Sequence, residues 1–381
     1  MATSRFPTTA NSPLTAKGDL FTYSTGSAKL AVGNDGEQIV ADSTATTGLR
    51  YSATPSASNP VINSAFQVWQ RGTSVSLSAS SSGVYTADRW CINTNASQTC
   101  TVSRQATSDT TNLPFIQYAS RVQRNSGQTG TGVIYFAQSL ETINSYPFIG
   151  KTVTLSFYAR AGANYSAASS LLTAYLASGT GTDQNVLVSY SGLAVVASTN
   201  STLTTTWQRF TVTGTVGSAV TQLAMYFSNT PVGTAGVNDY YEITGVQLDV
   251  GSVALPFRTY AATIQGELAA CKRYLPSVNV VTGGSATFIG YAYATNSMIA
   301  SVPFDVQARV SPTGITVNPT LAGNFTVRNK TNADATITSL TFDVGGVSGA
   351  TVLAGATLTQ GDAARLICNS GIPILFTGCE L

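Results

Sequence analysis

Few side chains in this sequence could perform acid–base or metal chemistry. The chain has no histidine, so it lacks the usual general base, the usual partner of a nucleophilic serine or cysteine, and the commonest zinc ligand. Asp239 and Glu242 lie close in sequence and are candidates for a carboxylate pair that cleaves a glycosidic bond, or for metal ligands. Nothing in the sequence places two carboxylates face to face, so we expect a protein that is not an enzyme.

The cysteines also argue against a redox or zinc site. No two of them form a CxxC pair, and their odd number in a chain without a signal-peptide pattern favours reduced, buried thiols. Cys91 and Cys100 could alternatively lie opposite each other on a hairpin and oxidise later. The glycine runs 127–132 and 179–181 lie between strand candidates, so they read as hairpin turns and not as phosphate-binding loops. We expect no metal and no cofactor. The five cysteines are Cys91, Cys100, Cys271, Cys368 and Cys379.

The three tryptophans are predicted to lie in a core. Trp69, Trp90 and Trp207 stand beside alternating apolar residues, a pattern more typical of strand packing than of a ligand platform. Asp88 and Arg89 directly precede Trp90, so we predict a structural ion pair beneath that core.

The composition is unusually poor in charge. Only 9% of the 381 residues are charged, against about 25% in an ordinary soluble domain. This composition suits short strands, many turns, and surfaces that pack against other chains. A net charge of +2 indicates neither a nucleic acid nor an anionic membrane as a partner, and no apolar stretch predicts membrane insertion. Without a signal-peptide pattern, we expect a protein that stays in the cytoplasm or leaves it by a route other than secretion.

The chain divides into four segments. Residues 1–58 have few large apolar side chains and several turn signals, which predict short hairpins that order against copies or a neighbouring protein, or else a mobile tail. Residues 59–257 hold about ten strand candidates, among them Val61–Trp69 and Leu187–Tyr190, as in a two-sheet sandwich or jelly roll. After the linker and helix at 258–275, residues 276–381 predict a smaller β-sandwich. The expected fold is all-β with one short helix.

The helix has one apolar face. Ile264, Leu268, Cys271 and Leu275 follow one another at helical spacing. So short a helix would be marginal alone in water. We predict that it packs around a threefold axis with its copies or against a neighbouring domain, and we favour the trimer.

Five motifs occur in an order that resembles a known family. Together they are similar to the jelly-roll module of tailed-bacteriophage tail-fibre and receptor-binding proteins, which itself resembles carbohydrate-binding modules. The resemblance implies a virion surface protein, usually a homotrimer, that is released by lysis and presents β-domains to a host glycan or to other virion proteins. Residues 14–52 likewise resemble the N-terminal attachment segment of phage fibre and appendage proteins. The motifs are NPVINSAFQVWQRGTS, YTADRW, GKTVTLSFYARAG, LTTTWQRFTVTGTV and ITGVQLDVGSVALPFRTYAATIQGELAACKRYL.

One departure from the family concerns calcium. Related carbohydrate-binding modules often hold a structural calcium through two acidic residues, but this chain has Gln67 and Thr244 at the corresponding positions. Calcium prefers several anionic oxygens. We therefore expect that this site is lost.

Three tyrosines near turns are candidates for stacking on sugar rings. Tyr165, Tyr190 and Tyr240 lie beside turn residues, where their rings are expected to stand in solvent. Ordinary surface or interface packing is the alternative for each.

Three functions remain in competition. The first is a tail fibre or appendage that binds host-surface glycan without cleaving it. The second is a capsid decoration, knob or cement protein that binds other virion proteins. The third is a glycan depolymerase that uses paired carboxylates.

Overall fold

A computed structural model describes residues 13–33, 37–53, 59–113, 115–280, 285–317, 324–369 and 373–381. These residues form two hairpins, a large β-sandwich, a linker with one helix, and a smaller β-sandwich. The all-β fold predicted from the sequence is confirmed. Within the described ranges, no helix is long and apolar enough to cross a membrane.

The N-terminal segment forms two antiparallel hairpins. They are β1 (Leu20–Tyr23) with β2 (Ser27–Leu30), and β3 (Glu37–Ala41) with β4 (Leu49–Ala53). Asp19 closes the first hairpin by accepting hydrogen bonds from the backbone N–H groups of Thr15 at 2.9 Å and Val32 at 3.1 Å. The predicted hairpins are confirmed, while residues 1–12, 34–36 and 54–58 of this segment lie outside the described part of the chain.

The large sandwich consists of two six-stranded antiparallel sheets. Between its strands lie a helical turn, α1 (Thr142–Ser145), and short 3-10 turns at Tyr146–Phe148 and Ala168–Ser170. The strands are β5 (Ser74–Leu77), β6 (Val84–Tyr85), β7 (Cys91–Thr94), β8 (Cys100–Ala106), β9 (Tyr118–Arg124), β10 (Ile134–Ser139), β11 (Thr152–Ala161), β12 (Leu171–Gly179), β13 (Ala194–Thr202), β14 (Gln208–Thr215), β15 (Gln222–Asn229) and β16 (Tyr240–Val250). The first sheet has the order β13-β12-β15-β10-β7-β6, and the second has the order β14-β11-β16-β9-β8-β5.

The core of this sandwich is built around Trp90. Its ring is stacked on Phe136 at 5.1 Å and lies 5.0 Å from Phe66, measured between ring centroids. Trp69 belongs to the same buried cluster, whereas Trp207 is buried in a second cluster on the outside of the second sheet. All three tryptophans are buried, as predicted.

Two predicted strands are loops. Val61–Trp69 is a buried turn in which the side chain of Asn63 accepts from Val68 N at 2.9 Å and donates to Val68 O at 2.7 Å. This side chain takes the place of a partner strand, and Asn63 and Phe66 adopt left-handed φ angles of 54° and 53°. Leu187–Tyr190 belongs to the loop between β12 and β13, where Leu187 N donates to Asn185 Oδ1 at 2.9 Å.

The linker helix, α2 (Ile264–Lys272), is docked on the large sandwich. Cys271 and the following Leu275 are buried and Leu268 is half-buried, but Ile264 is 51% exposed and does not join the predicted face. Of the two packings predicted, the structure shows the one against a neighbouring domain. The homotrimer remains a prediction.

Hydrogen bonds to Glu267 attach α2 to the large sandwich and to the linker. Its buried carboxylate accepts hydrogen bonds from Asn63 N of the large sandwich and, at 3.0 Å, from Ala261 N of the linker. Burial raises the pKa of Glu267, although the two hydrogen bonds act in the opposite direction. The N-cap Thr263 accepts from Gly266 N at 3.2 Å, so α2 is capped as well as docked.

The C-terminal sandwich confirms the predicted second β-domain. A seven-stranded sheet of order β22-β21-β25-β18-β19-β24-β23 packs on a three-stranded sheet of order β17-β26-β20. The strands are β17 (Ser277–Val278), β18 (Ser285–Ala294), β19 (Ser297–Pro303), β20 (Gly314–Val317), β21 (Phe325–Asn329), β22 (Asp334–Thr336), β23 (Ser339–Gly346), β24 (Gly349–Gly355), β25 (Ala363–Asn369) and β26 (Ile374–Thr377).

Ion pairs between charged residues connect the two sandwiches. Among these residues, the predicted ion pair of Asp88 with Arg89 does not form, so that prediction is wrong. Arg89 is buried and pairs instead with Glu380 near the C-terminus at 3.1 Å, and Arg71 binds the same carboxylate at 2.9 Å. Asp88 accepts from Gln70 N at 2.8 Å, and burial raises its pKa. Adjacent residues on a turn point apart, so each finds a partner elsewhere.

All five cysteines are free and buried, as expected for reduced thiols. Cys91 lies on β7 of the first sheet and Cys100 on β8 of the second, so they are not opposite each other on a hairpin. Burial raises the pKa of both thiols to about 12, which makes them poor nucleophiles at neutral pH.

Candidate functional site

Three tyrosines form a continuous aromatic surface on the outside of the first sheet. Tyr135, Tyr226 and Tyr175 lie on the adjacent strands β10, β15 and β12. Tyr175 is directly opposite Tyr226, and Tyr135 is its diagonal neighbour on the other side. Because successive strand residues alternate between faces, the neighbours of these tyrosines fill the core while the rings point outward. We call this surface the tyrosine face.

The three rings support one another. Tyr175 and Tyr226 are stacked, with centroids 4.4 Å apart and planes inclined by 12°. Tyr135 meets Tyr226 edge to face at 6.2 Å. Both arrangements are favourable for aromatic pairs, and direct and diagonal cross-strand neighbours are within reach of such contacts. The tyrosine face is therefore ordered by its own packing.

A loop turns part of this face into a pocket. Residues 180–193, which we call the pocket loop, connect β12 to β13 and lie against the sheet. Asn93 of β7 anchors the loop by donating through Nδ2 to Leu187 O at 2.7 Å. The pocket is open on one side, has a volume of about 220 Å³, and is lined by Asn93, Tyr135, Val186, Leu187, Leu193 and Tyr226.

The pocket suits a neutral ligand with apolar faces and polar edges. No side chain in its lining is charged. Within the described ranges, no hydrogen-bond partner is found for the hydroxyl groups of Tyr135, Tyr175 and Tyr226, and none of the three is among the buried unpaired groups. Burial, and after it the neighbouring Tyr175 and Tyr135, raises the pKa of Tyr226 to about 12. Its hydroxyl therefore stays neutral over the physiological range and can donate or accept.

The tyrosines singled out from the sequence lie at three separate places. Tyr190 is in the pocket loop beside Gly179, where a Cβ would come within 2.5 Å of its ring, and its buried hydroxyl has no partner in the described part of the chain. Tyr165 is not solvent-facing, because it packs on the core and donates to Leu171 O at 2.9 Å. Tyr240 lies on the second sheet beneath the guanidinium of Arg121, 3.8 Å from its ring centroid. A role of these residues in sugar binding remains a prediction.

Sequence reasoning missed the tyrosine face itself. Each of its three strands carries one tyrosine and several apolar residues, so each strand alone looks like ordinary core. The tyrosines converge because β10, β15 and β12 are neighbours in the sheet although they lie far apart in sequence. The available signal was one outward tyrosine per strand.

The outside of the second sheet has a different character. Glu242 is fully buried between Arg121 and Arg160, each with a nitrogen 2.6 Å from a carboxylate oxygen. The guanidinium of Arg160 lies 4.8 Å from the ring of Trp207. We call this layer of Arg121, Arg160, Glu242 and Trp207, together with Tyr240, the arginine face. Its charged side chains pair with one another within the protein.

Neither carboxylate considered from the sequence is free for catalysis or metal binding. Glu242 is held by the two arginines of the arginine face. Asp239 pairs with the buried Arg124 at 2.7 Å and also accepts from Ser166 N at 2.9 Å. These contacts satisfy both groups, which argues against the suggested carboxylate pair.

The positions of the family's calcium ligands make other contacts. Thr244 Oγ1 donates to Tyr118 O at 2.7 Å, and the backbone carbonyl of Gln67 accepts from Arg104 at 3.4 Å. In the part of the chain that the structure describes, no group of three or more cysteine, aspartate or glutamate residues could hold a metal ion.

No protein-family model matches this chain, and no curated protein matches it. Among solved structures, it is similar to an apo-form cyclase from Fischerella sp. (14% identity, 54% of this chain and 100% of that chain, TM-score 0.34). It is also similar to the CBM22-2 xylan-binding domain from Paenibacillus barcinonensis (14% identity, 46% of this chain and 99% of that chain, TM-score 0.27). A third similar structure is the enzymatically active domain of tailspike protein 4 from bacteriophage CBA120 (13% identity, 45% of this chain and 21% of that chain, TM-score 0.30). At these values the likenesses identify no ligand or activity for this chain.

Proposed function

We propose that this protein binds a neutral glycan at the tyrosine face without cleaving it, and that it does so as a tail fibre or appendage of a phage particle. The observation that carries the proposal is the uncharged pocket bounded by Tyr135 and Tyr226, with Tyr175 stacked beside it. The proposed place on a phage particle is supported by the ordered set of sequence motifs, which resembles that of phage tail-fibre proteins.

The geometry suits a sugar ring for two reasons. The C–H faces of a pyranose are apolar and pack well on aromatic rings, while its hydroxyl groups need hydrogen-bond partners. The hydroxyls of Tyr135 and Tyr226 supply those partners at the pocket edge. The cavity of about 220 Å³ is smaller than the roughly 300–1,000 Å³ of typical small-molecule sites, so we expect it to take one ring of a longer chain.

Binding is favoured over cleavage because the pocket offers no acid or base. Glycosidases place two carboxyl groups about 5–10 Å apart across the scissile bond. The lining of this pocket holds only asparagine, tyrosine and aliphatic side chains.

One surface favours the second candidate, a decoration protein that binds other virion proteins. Ile289, Tyr291 and Tyr293 point outward along β18, the middle strand of the seven-stranded sheet, and are 80%, 54% and 43% exposed. A row of large apolar side chains in solvent is typical of protein contact surfaces. A decoration protein would attach to stripped particles through this face and would bind no glycan.

The experiment has two arms. The wild-type protein is screened on a bacterial glycan array and titrated calorimetrically with xylohexaose, cellohexaose and maltohexaose. The expected result is retention of a neutral glycan that Tyr135→Ala weakens about tenfold, which corresponds to about 1.4 kcal/mol, because the apolar face of the sugar loses its aromatic contact. Tyr240→Ala on the arginine face is the matched control and should bind as the wild type does. An array without a retained neutral glycan, together with binding to stripped capsids, would replace this proposal with the second candidate.

A further inference from the structure

The pocket loop is held from two sides, and only one of them belongs to its own domain. On the sheet side, Leu187 O accepts from Asn93, and Val186 N donates to Ser139 Oγ at 2.9 Å. These contacts fix the part of the loop that lines the pocket. The opposite side of the loop faces the C-terminal sandwich.

Arg309 of the C-terminal sandwich reaches the base of the loop at Asp183. Its Nη1 lies 3.4 Å from Asp183 Oδ2, while Asp183 Oδ1 accepts from Thr142 N at 2.8 Å. Asp183 has a φ of 51°, a left-handed conformation that costs energy for every residue with a Cβ, although aspartate adopts it more readily than most. Contacts from both sides therefore hold an unfavourable backbone turn where the loop begins.

Arg309 is itself positioned by the end of the chain. Its Nε donates to Cys379 O at 2.9 Å and its Nη2 to Glu380 O at 2.8 Å. Glu141 of the large sandwich, a second carboxylate near this guanidinium, lies 3.9 Å from Nε. Arg309 is only 12% exposed, so it is held in one orientation between the two domains.

A second connection runs from the same segment into the loop. Tyr85 at the edge of the first sheet donates its hydroxyl proton to Leu381 O at 2.7 Å and accepts from Asn185 Nδ2 at 3.1 Å. Asn185 Oδ1 in turn accepts from Leu187 N, which belongs to the pocket lining. Residues 379–381 thus contact the pocket loop through both Arg309 and Tyr85.

We propose that Arg309 is a positioning residue for the glycan pocket: through Asp183 it fixes the pocket loop, so that docking of the C-terminal sandwich pre-organises the site on the large sandwich. This inference rests on the proposed glycan-binding function. Because such coupling is reciprocal, glycan bound in the pocket stabilises the contact between Arg309 and the loop.

The test measures the loop directly. Amide hydrogen exchange of residues 185–193 is followed in the full-length wild type, in Arg309→Ala and in Asp183→Asn, which keeps an acceptor for Thr142 N. Both variants should raise exchange in the loop, and the double variant should raise it no further than either single variant. Affinity for the hexasaccharide that the wild type binds best among xylohexaose, cellohexaose and maltohexaose should fall about fivefold, at the low end of typical coupling.

A matched control separates this contact from domain docking in general. Lys272 pairs with Asp305 at 2.6 Å at the same domain junction, but its pair contacts no residue of the pocket loop in the described part of the chain. Lys272→Ala should leave loop exchange unchanged. Unchanged exchange in Arg309→Ala, or an equal rise in Lys272→Ala, would overturn the role of Arg309. If the wild type retains no neutral glycan, either on the array or among the three hexasaccharides, the proposed function fails, while the exchange data still decide whether Arg309 positions the loop.

Discussion

On both outer surfaces of the large sandwich, every second strand residue points away from the core, but the outward side chains differ between the two surfaces. On the arginine face, Glu242 is buried between two arginines, which in turn lie over Tyr240 and Trp207. On the tyrosine face, the rings pack on one another and on Val186 and Leu187 of the pocket loop, and in the described part of the chain their hydroxyl groups have no hydrogen-bond partner.

The difference indicates which surface can serve a ligand. Polar groups that already satisfy one another offer little to a partner, because a new contact must break an existing one. Hydroxyl groups that have no partner in the described part of the chain incur no such cost. The arginine face therefore contributes to stability, and we assign recognition to the tyrosine face.

The largest expected effect is on the stability of the arginine face. Glu242→Ala should lower the free energy of unfolding by about 3 kcal/mol, because it leaves two neighbouring guanidinium groups without their shared carboxylate. This value is at the low end for a broken buried pair, since both arginines are about a quarter exposed. Urea unfolding measures the change, and glycan affinity should stay the same.

The exposed pair of Arg328 and Asp334 is the control for that prediction. Asp334 is 52% exposed, so Asp334→Asn should cost less than about 1 kcal/mol. Equal losses in the two variants would show that the buried position of Glu242 does not matter.

The second effect comes from placing a charge in the pocket. Asn93→Asp replaces the amide donor to Leu187 O with a carboxylate, which repels that carbonyl and releases the pocket loop. We expect a loss of about 1–3 kcal/mol in stability and at least tenfold weaker glycan binding. Asn200→Asp on β13 is the matched control, because Asn200 acts as an acceptor from Thr173 Oγ1 and an aspartate retains that role. If both variants bind glycan like the wild type, the loop does not form the pocket wall.

The smallest effect is a pH dependence of stability. The pKa of Tyr226 is raised from its usual 10 to about 12, so between these values the unfolded chain loses this proton first. Stability should therefore fall as the pH rises from 10 towards 12, and Tyr226→Phe should remove part of that slope. Thermal unfolding of both proteins from pH 8 to 11 measures the difference, and parallel curves would contradict it. Glycan binding should be constant from pH 5 to 9, since the pocket lining holds no acidic or basic side chain.

The sequence predicted what depends on local pattern. Turn residues predicted the N-terminal hairpins, apolar alternation predicted two sandwiches, and helical spacing predicted α2. It failed where a side chain replaces a strand partner, as Asn63 does, and where a partner comes from the other domain, as Glu380 does for Arg89. The tyrosine face depends on strand order, which no single segment encodes, so it could not be assembled from its three strands.

The most direct test of the account is a map of glycan contacts on the tyrosines. The protein is prepared with isotope-labelled tyrosine rings, and its NMR spectrum is followed while xylohexaose, cellohexaose or maltohexaose is added, with signals assigned through single Tyr→Phe variants. We predict saturable shifts for Tyr135, Tyr175 and Tyr226, while the signals of Tyr165 and Tyr240 stay in place. Saturable shifts at Tyr240 with an unmoved tyrosine face would place recognition on the arginine face and contradict the central claim.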